Sequence, residues 1–429
     1  MRRIYAFDFA RGIAIIAVPI IHRILWDYYF QNDDTGNTGF GFTVLSIFMG
    51  MAGIFYCISG VVNAYMAYSR IKEGKITPKQ LFLKGLAAGV SLILIGLFFR
   101  YFLLRSVDDV VSVRFLGGSS EHENITGVIP YLILYGQYPT DFKVGLFFNV
   151  GTIQMIGYSI ISVSIVLALF FKRNNPENIR KLRIIFMTLG IIIFLSYAIV
   201  NPLLSPITKT AIDDKKYLIM FFLNPITEGL FPLIPHLALA FFGAFFGIEL
   251  ARDDLHQKKF AKQVRIFYLI AAGIGLTFMI ILAKTVGTDL ETMDMWYNRM
   301  ARKLFQLGLY FAFILLCLEI FDFQPEEKRK KRMKYTKPII VMGRMSMTIY
   351  MFEGVLAVSL QRLIVLFWPA WNATAGNIVI VGLINLSFWI GIVLIWRQFK
   401  YKGSLEHLSA VLVKAISGQK SQKIEIEEE

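Results

Sequence analysis

The chain has 429 residues, 56% of them apolar and only 17% charged, whereas soluble domains carry about 25% charged residues. Lys and Arg exceed Asp and Glu by 45 to 30, a net charge of +15; that excess raises nucleic acid as a partner, but its placement along the chain argues against one. Cys57 and Cys317 both fall in apolar runs and point to packing, not to a disulfide framework or a metal site.

The apolar residues are gathered into long runs such as Gly85–Phe99, Tyr158–Phe171 and Ile378–Trp396. Crossing a hydrocarbon core takes about 20 mostly apolar residues as a helix. Inside lipid every backbone polar group must be satisfied, and no alternating pattern of a strand barrel is present. The sequence therefore predicts an all-α, polytopic integral membrane helix bundle of about ten spans. In chain order they lie at 7–29, 42–68, 82–104, 146–171, 184–204, 230–250, 265–284, 300–321, 338–366 and 376–397. The first run, with no small-residue cleavage site after it, is expected to be a retained helix.

Alternate connections are basic. Segments 1–5, 69–84, 172–183, 251–265, 322–337 and 397–429 hold 2, 5, 5, 5, 7 and 6 Lys/Arg, 30 of the 45 in the chain. By the positive-inside bias these face the cytoplasm, which places both termini there. Lys328–Arg332 reads as a juxtamembrane patch against anionic lipid. Residues 1–410 are expected to form one membrane domain, and 411–429 a polar cytoplasmic tail, disordered from Gly418 onward. The largest outside loop is predicted at 105–145. In a second one, Tyr217–Leu223 is apolar but too short to span, which suits an interfacial or re-entrant segment.

Gly85/Gly89 and Gly243/Gly247 have the four-residue spacing of close helix contacts. Packing within the bundle is the expected use, with a homodimer as the alternative.

Ionisable groups inside spans are costly and tend to face a cavity, a partner or a pathway. The first span carries Asp8, Arg11 and His22. Arg11 and His22 are almost three turns apart on one face, about 16 Å along the axis. Asp8 is one turn before Arg11 and can pair with it. Pro19 removes a helix hydrogen bond just before His22. The fourth span places Gln154, Tyr158 and Ser162 on one face. Glu228, Pro232, Pro235 and His236 lead into the sixth, where His236 reads as structural beside its proline. In the ninth, Gly343, Ser346, Tyr350 and Glu353 share a face, with Arg344 near the cytoplasmic end. No His or Cys pairing has metal spacing, and no phosphate loop, dinucleotide fingerprint or serine elbow is present. These residues alone leave two readings open: structural pairs, or a ligand threading part of the membrane.

Several segments resemble the transmembrane acyltransferase superfamily, which takes in the acyltransferase-3 family, the heparan-alpha-glucosaminide N-acetyltransferases and the YeiB-like membrane proteins. FDFARGIAIIAVPIIH (7–22) is similar to the first-helix signature, with the Arg, ten residues, His pattern of acyltransferase-3 at Arg11 and His22. FYCISG (55–60), VGTIQMIGYS (150–159) and FPLIPHLALAFFGAFFG (231–247) resemble later segments, the last with His236 where Trp is usual. GRMSMTIYMFEG (343–354) and FKYKGSLEHL (399–408) resemble YeiB-like C-terminal segments, and Glu353 stands where many members carry His or Gln.

The resemblance spans residues 7 to 408. It implies transfer of an acyl group, often acetyl, from cytoplasmic acyl-CoA to a hydroxyl or amine of an extracytoplasmic glycan, lipid-linked sugar or other envelope molecule. It implies acyl-CoA as co-substrate, no tightly bound cofactor, and a multi-pass place in a bacterial or archaeal cytoplasmic membrane. Catalysis is expected from His22, Asp8 and Glu353. Acyl-CoA binding is expected from Arg11, Gln154, Arg344, Ser346 and Tyr350. His22 would serve as general base or form an acyl-histidine. A secondary transporter, or a lipid- or glycan-handling protein without acyl transfer, is the alternative, and the lack of an internal repeat weakens it.

Overall fold

The computed structural model describes residues 4–24, 52–104, 127–136, 150–228, 231–253, 255–286 and 296–417. Every regular element among them is helical. In chain order these are α1 (Tyr5–Ile24), α2 (Ala52–Lys72), α3 (Pro78–Phe98, continued by a π turn, Phe99–Leu103), α4 (Val128–Tyr135), α5 (Thr152–Arg173), α6 (Ile179–Asp213) and α7 (Tyr217–Thr227). Then follow α8 (Leu233–Leu250), α9 (Gln257–Thr285), α10 (Trp296–Ile320), α11 (Glu326–Arg344), α12 (Ser346–Phe367), α13 (Ala375–Gln398) and α14 (Leu405–Ser417).

Among the described residues, nine helices are long and apolar enough to cross a membrane. The element expected as the second span, α2, falls outside that set, although it runs for 21 residues. It packs against α1, α5, α8 and α10. A helix enclosed by protein need not offer an apolar surface to lipid, so α2 can carry Ser59 and Asn63. By contrast, α6 and α9 leave Leu195, Ile199, Leu269 and Ile270 exposed, as lipid-facing helices do. The protein is a multi-pass membrane protein.

Between such helices packing, not water exclusion, supplies the attraction. Aromatic interlocking fills one centre: Phe246 lies 4.8 Å from Phe311 and 5.2 Å from Phe267, joining α8, α10 and α9. Glycine sets the closest approaches. A Cβ added at Gly12 would overlap the Ile339 carbonyl, and one at Gly343 would overlap the Asp8 carbonyl. α1 and α11 therefore cross backbone to backbone. Both four-residue glycine pairs are spent inside the chain: Gly85 and Gly89 face α5, and Gly243 and Gly247 face the Cys57 and Val61 carbonyls of α2. Both cysteines are free and buried.

Three boundaries depart from expectation. α6 runs 35 residues, through Pro202 and Pro206 and well past 204. Contacts to the following segment hold its end: Asn201 Nδ2 donates to the Thr227 carbonyl at 3.4 Å, and the Thr208 and Thr227 hydroxyls are 3.0 Å apart. The stretch expected as one ninth span is two helices, broken at Met345 (φ −107°, ψ 21°). Met345 carries no breaker chemistry; α11 is pinned at Gly343 and α12 is capped from elsewhere in the chain. Finally, α14 carries helix across 411 to Ser417. The expectations for 42–51, for 105–126 and 137–145 of the large loop, and for the tail from Gly418 lie outside the described residues.

Candidate functional site

His22 stands in the last turn of α1. Its Nδ1 is 3.0 Å from Glu353 Oε2, with the Glu353 side chain only 2% exposed and His22 23%. Asn385 Nδ2, from α13, donates to the other Glu353 oxygen at 3.4 Å. A carboxylate oxygen facing Nδ1 accepts, which favours the tautomer with the proton on Nδ1 and the lone pair on Nε2. The neighbouring Arg23 is fully buried. Its guanidinium donates to the Ala357 carbonyl, one turn beyond Glu353, and lies 5.6 Å from the Trp371 ring centre. Two consecutive residues of α1 thus fasten its end to α12 and fix the imidazole.

A cavity of about 360 Å³ lies further down the same face of α12. Arg11, Thr152, Ser346, Tyr350 and Glu406 are among its polar lining, together with Ser59 and Asn63 of α2 and Ser409, and Phe55 and Ile156 are among the apolar walls. The Tyr350 hydroxyl donates to Thr152 Oγ1 at 3.2 Å. Ser346, Tyr350 and Glu353 recur at helical spacing, so the cavity wall leads within one turn to the carboxylate on His22. At the other end Glu406 caps α12. Its Oε1 accepts from the Met347 and Thr348 N–H groups at 2.7 and 3.1 Å, and its Oε2 from the Thr348 hydroxyl at 2.5 Å. Arg11 is within electrostatic range of Glu406 and Asp8.

The structure therefore brings His22 to Glu353, and Arg11 to Ser346 and Tyr350. Asp8 stands at the Arg11 end and not with His22. It lies 14 positions from His22, about 21 Å along α1, and its Oδ2 is 3.9 Å from Arg344 Nε. Neither Asp8 nor Arg344 lines the cavity. Gln154 is used locally: its Oε1 accepts from the Gly151 N–H at 2.6 Å, and its stem packs on Gly96. Gly343, read from sequence as part of the α12 stripe, is a packing glycine of α11. Residues that sequence reasoning passed over are Arg23, Asn385, Thr152 and Glu406. Asn385 and Arg23 had a signal, a polar group within or at the end of an apolar run; Thr152 and Glu406 lie inside the family-like segments 150–159 and 399–408.

A family model described as an acyltransferase domain, acyltransferase-3, matches residues 4–396. The chain belongs to the acyltransferase-3 family. No curated protein matches it. As an acyltransferase-3 member it is a membrane acyltransferase, and the matched region takes in α1 and α12, which carry His22 and Glu353. Chemically, the His22–Glu353–Asn385 series has the form of an oriented base: carboxylate on Nδ1, lone pair at Nε2. The cavity offers a cation, a carboxylate, several hydroxyls and apolar walls, a mixture that suits an elongated ligand with both polar and apolar parts.

Proposed function

We propose that this acyltransferase-3 protein moves an acyl group, acetyl in the simplest case, from cytoplasmic acyl-CoA to a hydroxyl or amine of an extracytoplasmic glycan or lipid-linked sugar. The observation that carries the reading is the 3.0 Å contact of His22 with buried Glu353, one turn from the wall of the Arg11 cavity. Acyl-CoA enters at the Arg11 end, where the guanidinium meets an anionic or carbonyl group of the donor. Ser346 and Tyr350 line the donor's path. The thioester then reaches the His22 end.

There His22 Nε2 takes the proton of the acceptor hydroxyl while its oxygen attacks the thioester carbonyl. The carbon–sulfur bond breaks, and the CoA thiolate leaves with the proton now on the imidazole. Glu353 stabilises the transient imidazolium, and Asn385 holds Glu353. Asp8 and Arg344 act as a brace at the far end of α1, and Gln154 as a local clamp on the start of α5. In this reading the protein sits in the cytoplasmic membrane with both termini inside.

Calorimetry of the purified full chain with acetyl-CoA tests the donor, and mass spectrometry of envelope glycans with and without the protein tests the product. Wild type and His22→Ala should bind acetyl-CoA alike, and only wild type should add acetyl groups. Undiminished transfer by His22→Ala would remove His22 from the mechanism; absence of acyl-CoA binding would remove the donor.

A further inference from the structure

α14 presents its apolar side outward. Leu408, Val411, Leu412 and Ala415 recur at helical spacing and form one face. All four are exposed, the first three at 51%, 47% and 43%. The opposite face carries Glu406, Ser409 and Ala410, which line the Arg11 cavity. A helix resting on a bundle in water has the reverse arrangement, with apolar residues on the protein and polar ones outside. Polar groups turned to the bundle and apolar ones turned away is the arrangement of a helix between protein and lipid.

The depth of α14 agrees. It packs on α3, one of the helices long and apolar enough to cross a membrane. Ser409 and Ala410 share the cavity with Leu92, which lies 14 positions after Pro78, about 21 Å along α3. Leu86, Val90, Leu94 and Phe98 of α3 are exposed at steps of four, an apolar stripe that passes Leu92 on both sides. α14 therefore lies alongside the apolar exposed part of α3, not beyond its end. The link from α13 permits this. Lys400, Tyr401 and Gly403 take positive φ, and Trp396 Nε1 donates to the Lys402 carbonyl at 2.7 Å, so the chain turns back on itself.

We propose that the Leu408, Val411 and Leu412 face is a lipid-contact surface, covered by phospholipid acyl chains of the leaflet nearer the start of α1. The face continues the exposed stripe of α3, and no charged side chain stands among its four residues. One wall of the Arg11 cavity is then a single helix with lipid behind it. The segment from residue 411 onward, a polar tail by sequence, thus begins as part of the membrane domain.

The test places a nitroxide on the full chain in phosphatidylcholine nanodiscs, through Leu408→Cys, Val411→Cys or Leu412→Cys in turn. Cys57 and Cys317 are buried and stay unlabelled. Collision of the label with oxygen, which concentrates among acyl chains, is compared with collision with a nickel chelate, which stays in water. Leu195→Cys on α6 is the lipid reference, and Lys331→Cys on α11 the water reference; both positions are exposed. Oxygen should exceed nickel at all three α14 positions, as at Leu195→Cys. Nickel exceeding oxygen, as at Lys331→Cys, overturns the surface in favour of water. Low collision with both overturns it in favour of protein, and dipolar broadening between labels then identifies a second copy. Should the cysteine variants fail to assemble, a photoactivatable phosphatidylcholine should label peptides within 405–417 of wild type, and unlabelled peptides there overturn the surface. None of these measurements needs acyl transfer, so the surface and the proposed function fail separately.

Discussion

His22 and Glu353, 331 positions apart in sequence, meet at 3.0 Å with the carboxylate almost wholly buried. An amide in place of the carboxylate can turn its NH₂ toward Nδ1 and favour the wrong tautomer. Glu353→Gln should therefore lower kcat by about 10²-fold or more, with the KM for acyl-CoA little changed. Steady-state transfer assays at varied donor concentration check this split.

Arg11 lies on the cavity, away from the His22 contact. Arg11→Gln should raise the Kd for acyl-CoA by about 10- to 100-fold, the loss expected when one charge-assisted hydrogen bond is removed. Calorimetric titration of the variant measures it. An unchanged Kd would place the donor elsewhere.

Glu406 caps α12 through two N–H groups and one hydroxyl. Glu406→Ala should cost about 1–2 kcal/mol, as loss of a helix cap does. Hydrogen exchange should show faster exchange of the Met347 and Thr348 amides, and limited proteolysis should cut sooner near α14.

At the crossing of α1 and α11 there is no space for one methyl group. Gly343→Ala should destabilise the protein by about 1–3 kcal/mol, because the obstacle is backbone and cannot rotate aside. Gly273→Ala, where a Cβ meets open space, is the control. Thermal unfolding in detergent compares the two.

Arg183 Nη1 is 2.9 Å from Glu249, whose side chain is 8% exposed, whereas Lys72 pairs with an 82% exposed Asp253. Removing Arg183 leaves the buried Glu249 with Arg252 alone, at 3.2 Å, whereas an exposed pair is worth little. Arg183→Met should lower the unfolding midpoint clearly, and Lys72→Met by almost nothing.

Much of the fold was legible because lipid imposes a simple condition, about 20 apolar residues per crossing. α2 was still recognisable, since its apolar stretch was long enough despite its polar lining. The break at Met345 was not legible: no proline or glycine marks it, and its cause lies in contacts with α1 and α14. The site divided the same way. His22, Glu353, Arg11, Ser346 and Tyr350 stood out because polar groups in a span carry a cost. Their sorting into one hydrogen-bonded contact and one cavity depended on helix neighbours that no spacing rule reports. Asp8 was read as a partner of Arg11 and, through the resemblance, as catalytic; the structure places it about 21 Å from His22 along α1. Glu406 lies in the family-like stretch 399–408, but its cap on α12 depends on α14 folding back to the cavity.

Where Gly12 and Gly343 let two main chains touch, no side chain remains to change rotamer and open a gap. α1 and α11 must then shift together, as one strut. The opposite wall of the Arg11 cavity is held otherwise: α14 packs on α3 and reaches the start of α12 through Glu406 and the Leu405 N–H. The imidazole therefore rides on a helix fixed at both ends, by the Gly343 crossing at one and by Arg23 on the Ala357 carbonyl at the other.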